Sequence, residues 1–152
     1  MGARKLLTLL LAAIIVVLAA RYLFWNDRRD VRRRLETIAE AVSTGGTDVG
    51  AFVTDDVIIK TDPATIVGGR PAVVKLVRDA AAARTQVRVS LGDVQVELID
   101  PSTATVFFTM NISGGEPRIP DPAPRQVHAM FVKQDGEWRL TRGDVLRTLD
   151  GR

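Results

Sequence analysis

Residues 6–20 read LLTLLLAAIIVVLAA, fifteen positions at which Thr8 is the sole polar side chain. Such a helix must be covered by lipid or by protein, and about 20 mostly apolar residues cross the hydrocarbon of a bilayer. Leu6 to Trp25 supplies that length if Arg21 lies near one end, where its long stem reaches the headgroups. Tyr22, Phe24 and Trp25 cluster at the same end, as an interfacial aromatic belt would. A buried core helix is the poorer alternative, because a small domain would have to enclose an almost unbroken apolar cylinder.

A cleaved signal peptide is the rival. Arg4 and Lys5 form a short basic segment, and Val17-Leu18-Ala19 is an acceptable small-residue cleavage site. Against cleavage, the apolar run continues past that site into aromatic residues. The expected organisation is a tail at 1–5, a retained transmembrane helix at 6–25 and one soluble domain at 27–149. That makes a single-pass protein, read here as one of a bacterial cytoplasmic membrane. Two cues to its orientation oppose one another. Arg21, Arg28, Arg29, Arg32, Arg33 and Arg34 outnumber Arg4 and Lys5, which favours a cytoplasmic domain by the positive-inside rule. A short basic tail leading straight into an apolar run is also how a signal anchor with an exported domain begins. The charge count tips the reading slightly to the cytoplasm.

Charge is spread as unevenly as hydropathy. Residues 1–25 hold three basic groups and no acidic one, and residues 27–34 add five arginines beside Asp27 and Asp30. Residues 35–152 then carry 13 basic against 16 acidic groups, so the positive balance belongs to the anchor and its flank. A nucleic-acid-binding domain carries its positive charge on the folded surface, and nucleic acid is therefore not an expected partner. The arginines can meet anionic headgroups, or form the solvated face of a helix. The chain has no cysteine and one histidine, His128. That excludes disulfides, thiolate chemistry and a multi-histidine zinc site within one chain, and no cofactor or metal is implied.

Beyond the anchor, Val31, Leu35, Ile38, Ala39 and Val42 form one helical stripe, with Asp27 as a capping residue and Gly45-Gly46 as the stop. A short helix is expected over 47–53, capped by Thr47. The β-branched run 55–62 reads as a strand, Ile66-Val67 as a second, and Pro71 opens a helix reaching about Arg84. From Gln86 the period becomes two. Its phase slips at Gly92-Asp93, which fits either a β-bulge in one long strand or a break into two. Strands follow at 103–113, 127–133 and 137–146. The connection at 113–126 is long and proline-rich, the kind of loop that carries function; it holds a Pro117-x-x-Pro120 pattern too common to weigh. Helices followed by consecutive antiparallel strands make an α+β layout.

The stretches AEAVSTGGTDVGAFVTDDVIIKTDP (39–63), GGRPAVVKLVRDA (68–80) and HAMFVKQDGEWRLTRGDV (128–145) resemble the nuclear transport factor 2-like superfamily, which includes SnoaL-like cyclases and ketosteroid isomerases. The resemblance covers about residues 27–149 and rests on the order and spacing of elements rather than on one motif. It implies a cone-shaped α+β roll: a curved, mainly antiparallel sheet wrapped on about three helices, with an open pocket at the wide end. The isomerase pattern places a base near Asp62, a tyrosine at Ile38 and a second acid at His128. Ile38 donates no hydrogen bond, so the oxyanion stabilisation that isomerase depends on is lost. What remains is an Asp62–His128 acid–base pair in a pocket lined by Ile38, Met130 and Trp138, since histidine suits proton transfer near neutral pH. Against it, Asp-Pro is a common turn former and a lone strand histidine is more often structural.

The leading reading is a non-enzymatic, membrane-tethered domain that binds a partner or ligand or assists assembly. The resemblance further implies a homodimer through the sheet face, at Thr105, Phe107 and Thr109, or a membrane-protein partner. A lyase or isomerase using proton transfer is the alternative. A lipid carrier with a deep apolar pocket opening toward the anchor is a third.

Overall fold

No glycine or proline interrupts the sequence from Ala3 to Ser43, and these 41 residues form one continuous α-helix, α1. The structure is a computed structural model, and it describes residues 3–45, 48–61, 65–82, 86–114 and 123–146. The expected break between membrane helix and domain helix is absent. Asp27 caps nothing, because upstream carbonyls already accept the helical N–H groups around it. Instead it sits at mid-helix and pairs with Lys133, Nζ to Oδ1 at 3.0 Å. The helix stops at Gly45, whose φ of 108° is open to glycine and costly for other residues.

The element expected over 47–53 is a single 3₁₀ turn, Val49–Phe52, preceded by Asp48, which makes no side-chain capping bond; Thr47 lies outside the described residues. Strand β1 spans Val53–Thr61 and β2 spans Thr65–Gly68. Helix α2 follows at Arg70–Ala82, and then β3 (Arg88–Asp100), β4 (Thr103–Ser113), β5 (Arg125–Gln134) and β6 (Glu137–Leu146). Residues 115–122 of the long connection lie outside the described residues.

All six strands join one curved mixed sheet in the order β2-β1-β6-β5-β4-β3. Every neighbouring pair is antiparallel except β1 and β6, which run parallel. The phase slip in β3 is a bulge within one strand. The ladder to β4 shifts between Gly92 and Gln95, and Asp93 takes a φ of 51°. One extra residue there returns Val94, Val96 and Leu98 to the face that Leu91 occupies before it.

That face meets α1. Val31 and Leu35 pack with Ala104, Val106 and Phe108 of β4 and with Ala129, Phe131 and Trp138 of the closing hairpin. Each large side chain fully buried in this way contributes about 1.5–3 kcal/mol. A second cluster, with Val53, Val57 and Val73, joins β1 to α2. Arg70 ties the same elements by its guanidinium, which reaches the Val53 carbonyl at 3.1 Å and the Asp55 carboxylate at 2.8 Å.

The strands run lengthwise along α1. Near the helix C-terminus, the Ser43 hydroxyl accepts the Val89 N–H at 2.9 Å, at the start of β3. Near the apolar segment, Lys133 reaches Asp27, and its own N–H donates to the Ser102 carbonyl at 2.8 Å. The β3–β4 and β5–β6 turns therefore lie at the end of the domain next to the apolar segment. Gly114 and Leu146 lie at the other end.

Candidate functional site

Among the described residues, packed side chains cover the concave face of the sheet. Its central side chains are apolar, and α1 lays Val31, Leu35 and Ile38 directly on them. Among its buried polar atoms is the indole Nε1 of Trp138, which has no hydrogen-bond partner. Trp138 and Ile38 are both on this side.

His128 and Met130 are not. They alternate with Val127, Ala129 and Phe131, and a period of two turns them to the opposite, outer face. There His128 stands opposite Phe107 of β4 and Asp144 of β6. Its ring lies on that of Phe107 with centroids 4.3 Å apart and planes 3° from parallel. The expected pocket is thus divided: Ile38 and Trp138 face the core, and Met130 and His128 face away from it. Asp62, the other half of the acid–base pair, lies outside the described residues. Among the described residues, no three of His, Cys, Asp or Glu converge as metal ligands would.

The outer face has its own character. Gln95, Phe107, His128, Asp144 and Lys60 form one continuous row across five strands. Phe107 is 45% exposed, Arg142 pairs with Asp144 at 3.1 Å, and Ile58 and Ile66 add exposed aliphatic surface on β1 and β2. Thr109 also turns outward, whereas Thr105, on the same side, is buried beneath its neighbours. A cleft of about 290 Å³ opens beside the β3 bulge, lined by Asp93, Gln95, Phe107, Thr109 and Gln126 among others.

Two further clefts flank α1. One of about 280 Å³ lies against the β5–β6 turn, with Asp30, Arg33, Arg34, Thr37 and Trp138 in its wall. The other, about 360 Å³, separates α1 from β3 and is lined by Arg32, Glu36, Ser43 and Val89 among others. Both mix charges of either sign or polar with aliphatic groups. The arginines serve different ends: Arg34 lies 5.0 Å over the Phe52 ring and Arg32 pairs with Glu36 at 3.4 Å on the exposed face of the helix.

The N-terminal part of α1 packs on nothing. It is long and apolar enough to cross a membrane, and none of that stretch is buried within the protein. Arg21, Tyr22, Phe24 and Trp25 are all exposed on the helix where the apolar run ends. A cleavable signal sequence meets the same criteria of length and composition.

Comparison with known proteins decides the family. A SnoaL-like domain profile matches residues 25–144. The chain belongs to the SnoaL-like domain family. Its fold is shared with several solved structures. A Novosphingobium aromaticivorans protein whose name suggests a scytalone dehydratase superposes with a TM-score of 0.78 at 16% identity, over 85% of this chain and 89% of that one. A nuclear transport factor 2-like protein with a cystatin-like fold from the same organism gives 0.76 at 20% identity, over 89% and 90%. A protein from Streptomyces avermitilis, of the same fold family and also named for dehydratase activity, gives 0.69 at 20% identity, over 82% and 97%. At these identities the likeness speaks for the fold alone. Among curated proteins, none matches this sequence.

Sequence reasoning missed two contacts. Lys133 is separated from Asp27 by 106 positions, and Arg70 reads in sequence only as a residue before a helix-opening proline. Neither belongs to a local pattern, and only the closed sheet brings each to its partner.

Proposed function

We propose that this SnoaL-like domain is a membrane-tethered, non-enzymatic binding module whose outer sheet face pairs with a second copy of the chain. One observation carries the reading: the chain's single imidazole is stacked on Phe107 outside the cone, away from the side where the family fold forms its pocket. Acid–base catalysis in that pocket would have to proceed without it. The concave side instead holds packed aliphatic and aromatic groups.

The occupant of the outer face follows from its chemistry and its stance. It presents exposed Phe107, Ile58 and Ile66 beside Lys60, Arg142 and Asp144, a mixture of apolar surface and both charges that can be self-complementary about a two-fold axis. Because the strands run lengthwise along α1, this face stands upright relative to the anchor. A two-fold axis along the membrane normal then joins two such faces while both helices enter one bilayer. Retention of residues 6–25 as an anchor is part of the proposal, and is supported by an apolar helix that the domain leaves uncovered and by its continuation into the exposed aromatic residues.

The test is the mass of the detergent-extracted full-length chain by sedimentation, with cross-linking in vesicles. A dimer converted to monomer by Phe107→Arg, with the fold kept by circular dichroism, supports the reading. A monomeric wild-type chain at tens of micromolar rejects it.

A second reading is a lyase or isomerase acting by proton transfer, favoured by the dehydratase names of two fold neighbours. It requires Asp62 and His128 to act on one substrate. Turnover of a hydroxylated carbonyl substrate that is lost in both Asp62→Asn and His128→Gln would establish it over the first.

A further inference from the structure

We infer that the domain is seated directly on the bilayer, with its β3–β4 and β5–β6 turns among the lipid headgroups and no linker between them and the span. This rests on the proposed anchor and adds how the domain is mounted on it.

The argument is one of length. Between Trp25, at the end of the apolar run, and Asp27, the first residue tied to the sheet, the helix rises about 3 Å. The headgroup layer on each side of a bilayer is about 5–7 Å deep. With Trp25 at the hydrocarbon edge, Asp27 is still within the headgroups. Lys133 is bound to it at 3.0 Å, and the Lys133 N–H holds the Ser102 carbonyl at 2.8 Å. The two turns are therefore fixed near the same level. Val31, with no exposed surface, lies about 9 Å along the helix from Trp25, so the core itself begins just past the headgroups.

The surface of that end fits the placement. Ile99, at the tip of β3, is 58% exposed, and exposed Pro101 follows in the turn. An aliphatic side chain left in water on a domain tip is accommodated at a lipid interface. Arg28, Arg29 and Arg32 lie within about 11 Å of Trp25 along the helix and are exposed, close enough to meet phosphates. Asp100, Asp135 and Glu137 occupy the same end, so charge does not set the seat. The uninterrupted helix does, and the contact should survive in uncharged lipid. At the opposite end, Ser43 lies about 27 Å beyond Trp25, and the strand ends around Ser90 and Leu146 are held away from the membrane.

A chain without cysteine accepts a single fluorescent label at any introduced thiol. Full-length Val16→Cys, Gln134→Cys and Ser90→Cys, each labelled and reconstituted in phosphatidylcholine vesicles, report the span, the turns and the far end. Nitroxide lipids labelled in the acyl chain or at the headgroup serve as quenchers. The expected result is acyl-chain quenching at Val16, headgroup quenching at Gln134 and no loss of fluorescence at Ser90. Quenching at Val16 with Gln134 no more quenched than Ser90 overturns the seat while leaving the anchor intact. An unquenched Val16 label removes the anchor and the seat with it.

Discussion

The imidazole of His128 lies flat on the ring of Phe107, 4.3 Å between centroids, as a directly opposed pair on the outer face of β4 and β5. Stacked aromatic pairs of this kind couple by about 0.5–1.5 kcal/mol beyond their buried area. A double-mutant cycle of Phe107→Ala and His128→Ala, read by urea unfolding of the solubilised chain, should return a coupling of about 1 kcal/mol. A coupling near zero would mean the two rings do not hold one another in solution.

Gly114 ends β4 with a φ of 93°, and a Cβ built there would collide with the carbonyl of Gln86. Both contacting groups are backbone, so no side chain can swing aside. Gly114→Ala should therefore destabilise the domain by about 2 kcal/mol or more, the range of a left-handed position combined with a clash. Gly136 also has a positive φ but open space around its Cβ position. Gly136→Ala should cost distinctly less in the same unfolding assay.

The carboxylate of Asp100 accepts the backbone N–H of Ser102 at 2.8 Å and its hydroxyl at 3.0 Å. Those bonds, the backbone one foremost, hold its pKa below the ordinary aspartate range. A lowered pKa in the folded state means the group's stabilising contribution is complete above the unfolded-state value. It is lost as pH falls through the folded-state value. Carbon-13 titration should place Asp100 below ordinary aspartates. Ser102→Ala should move it part of the way back, since the stronger backbone bond remains.

Much of the fold was legible because it is periodic. The stripe from Val31 to Val42, the alternation in β3 and β4 and the slip at Gly92-Asp93 all state which face is buried. The helix start expected at Asp27 is absent from the continuous α1: Asp27 has the chemistry of a helix cap, and a cap can be told from a mid-helix residue only by what precedes it. Nothing in Leu6 to Asn26 breaks a helix, a signal that was available. The site was less legible. Aligning His128 with a family position placed it in the pocket, yet the β5 alternation already sets it against Val127 and Ala129. Periodicity was the better guide to direction there. Long-range pairs such as Thr54 with Thr141 leave no local trace at all.

Asp27 and Lys133 form the contact by which the helix grips the sheet nearest the apolar segment, and it can be measured in isolation. The Asp27 side chain is 15% exposed and that of Lys133 34%, with the Lys133 ammonium also 5.6 Å from the Trp138 ring centroid. Fully exposed pairs contribute about 0.2–1 kcal/mol, and partial burial places this one toward the top of that range. Asp27→Asn and Lys133→Met should each lower stability by about 1 kcal/mol, with the double variant costing little more than either single one. Because α1 is also held by Val31 and Leu35, the domain should stay folded in all three. Amide exchange in the β5–β6 turn should rise in each, while exchange around Val89, at the Ser43 end, stays as in the wild type. An equal rise at both ends would mean the helix is loosened as a whole, and that the pair is not a local clamp.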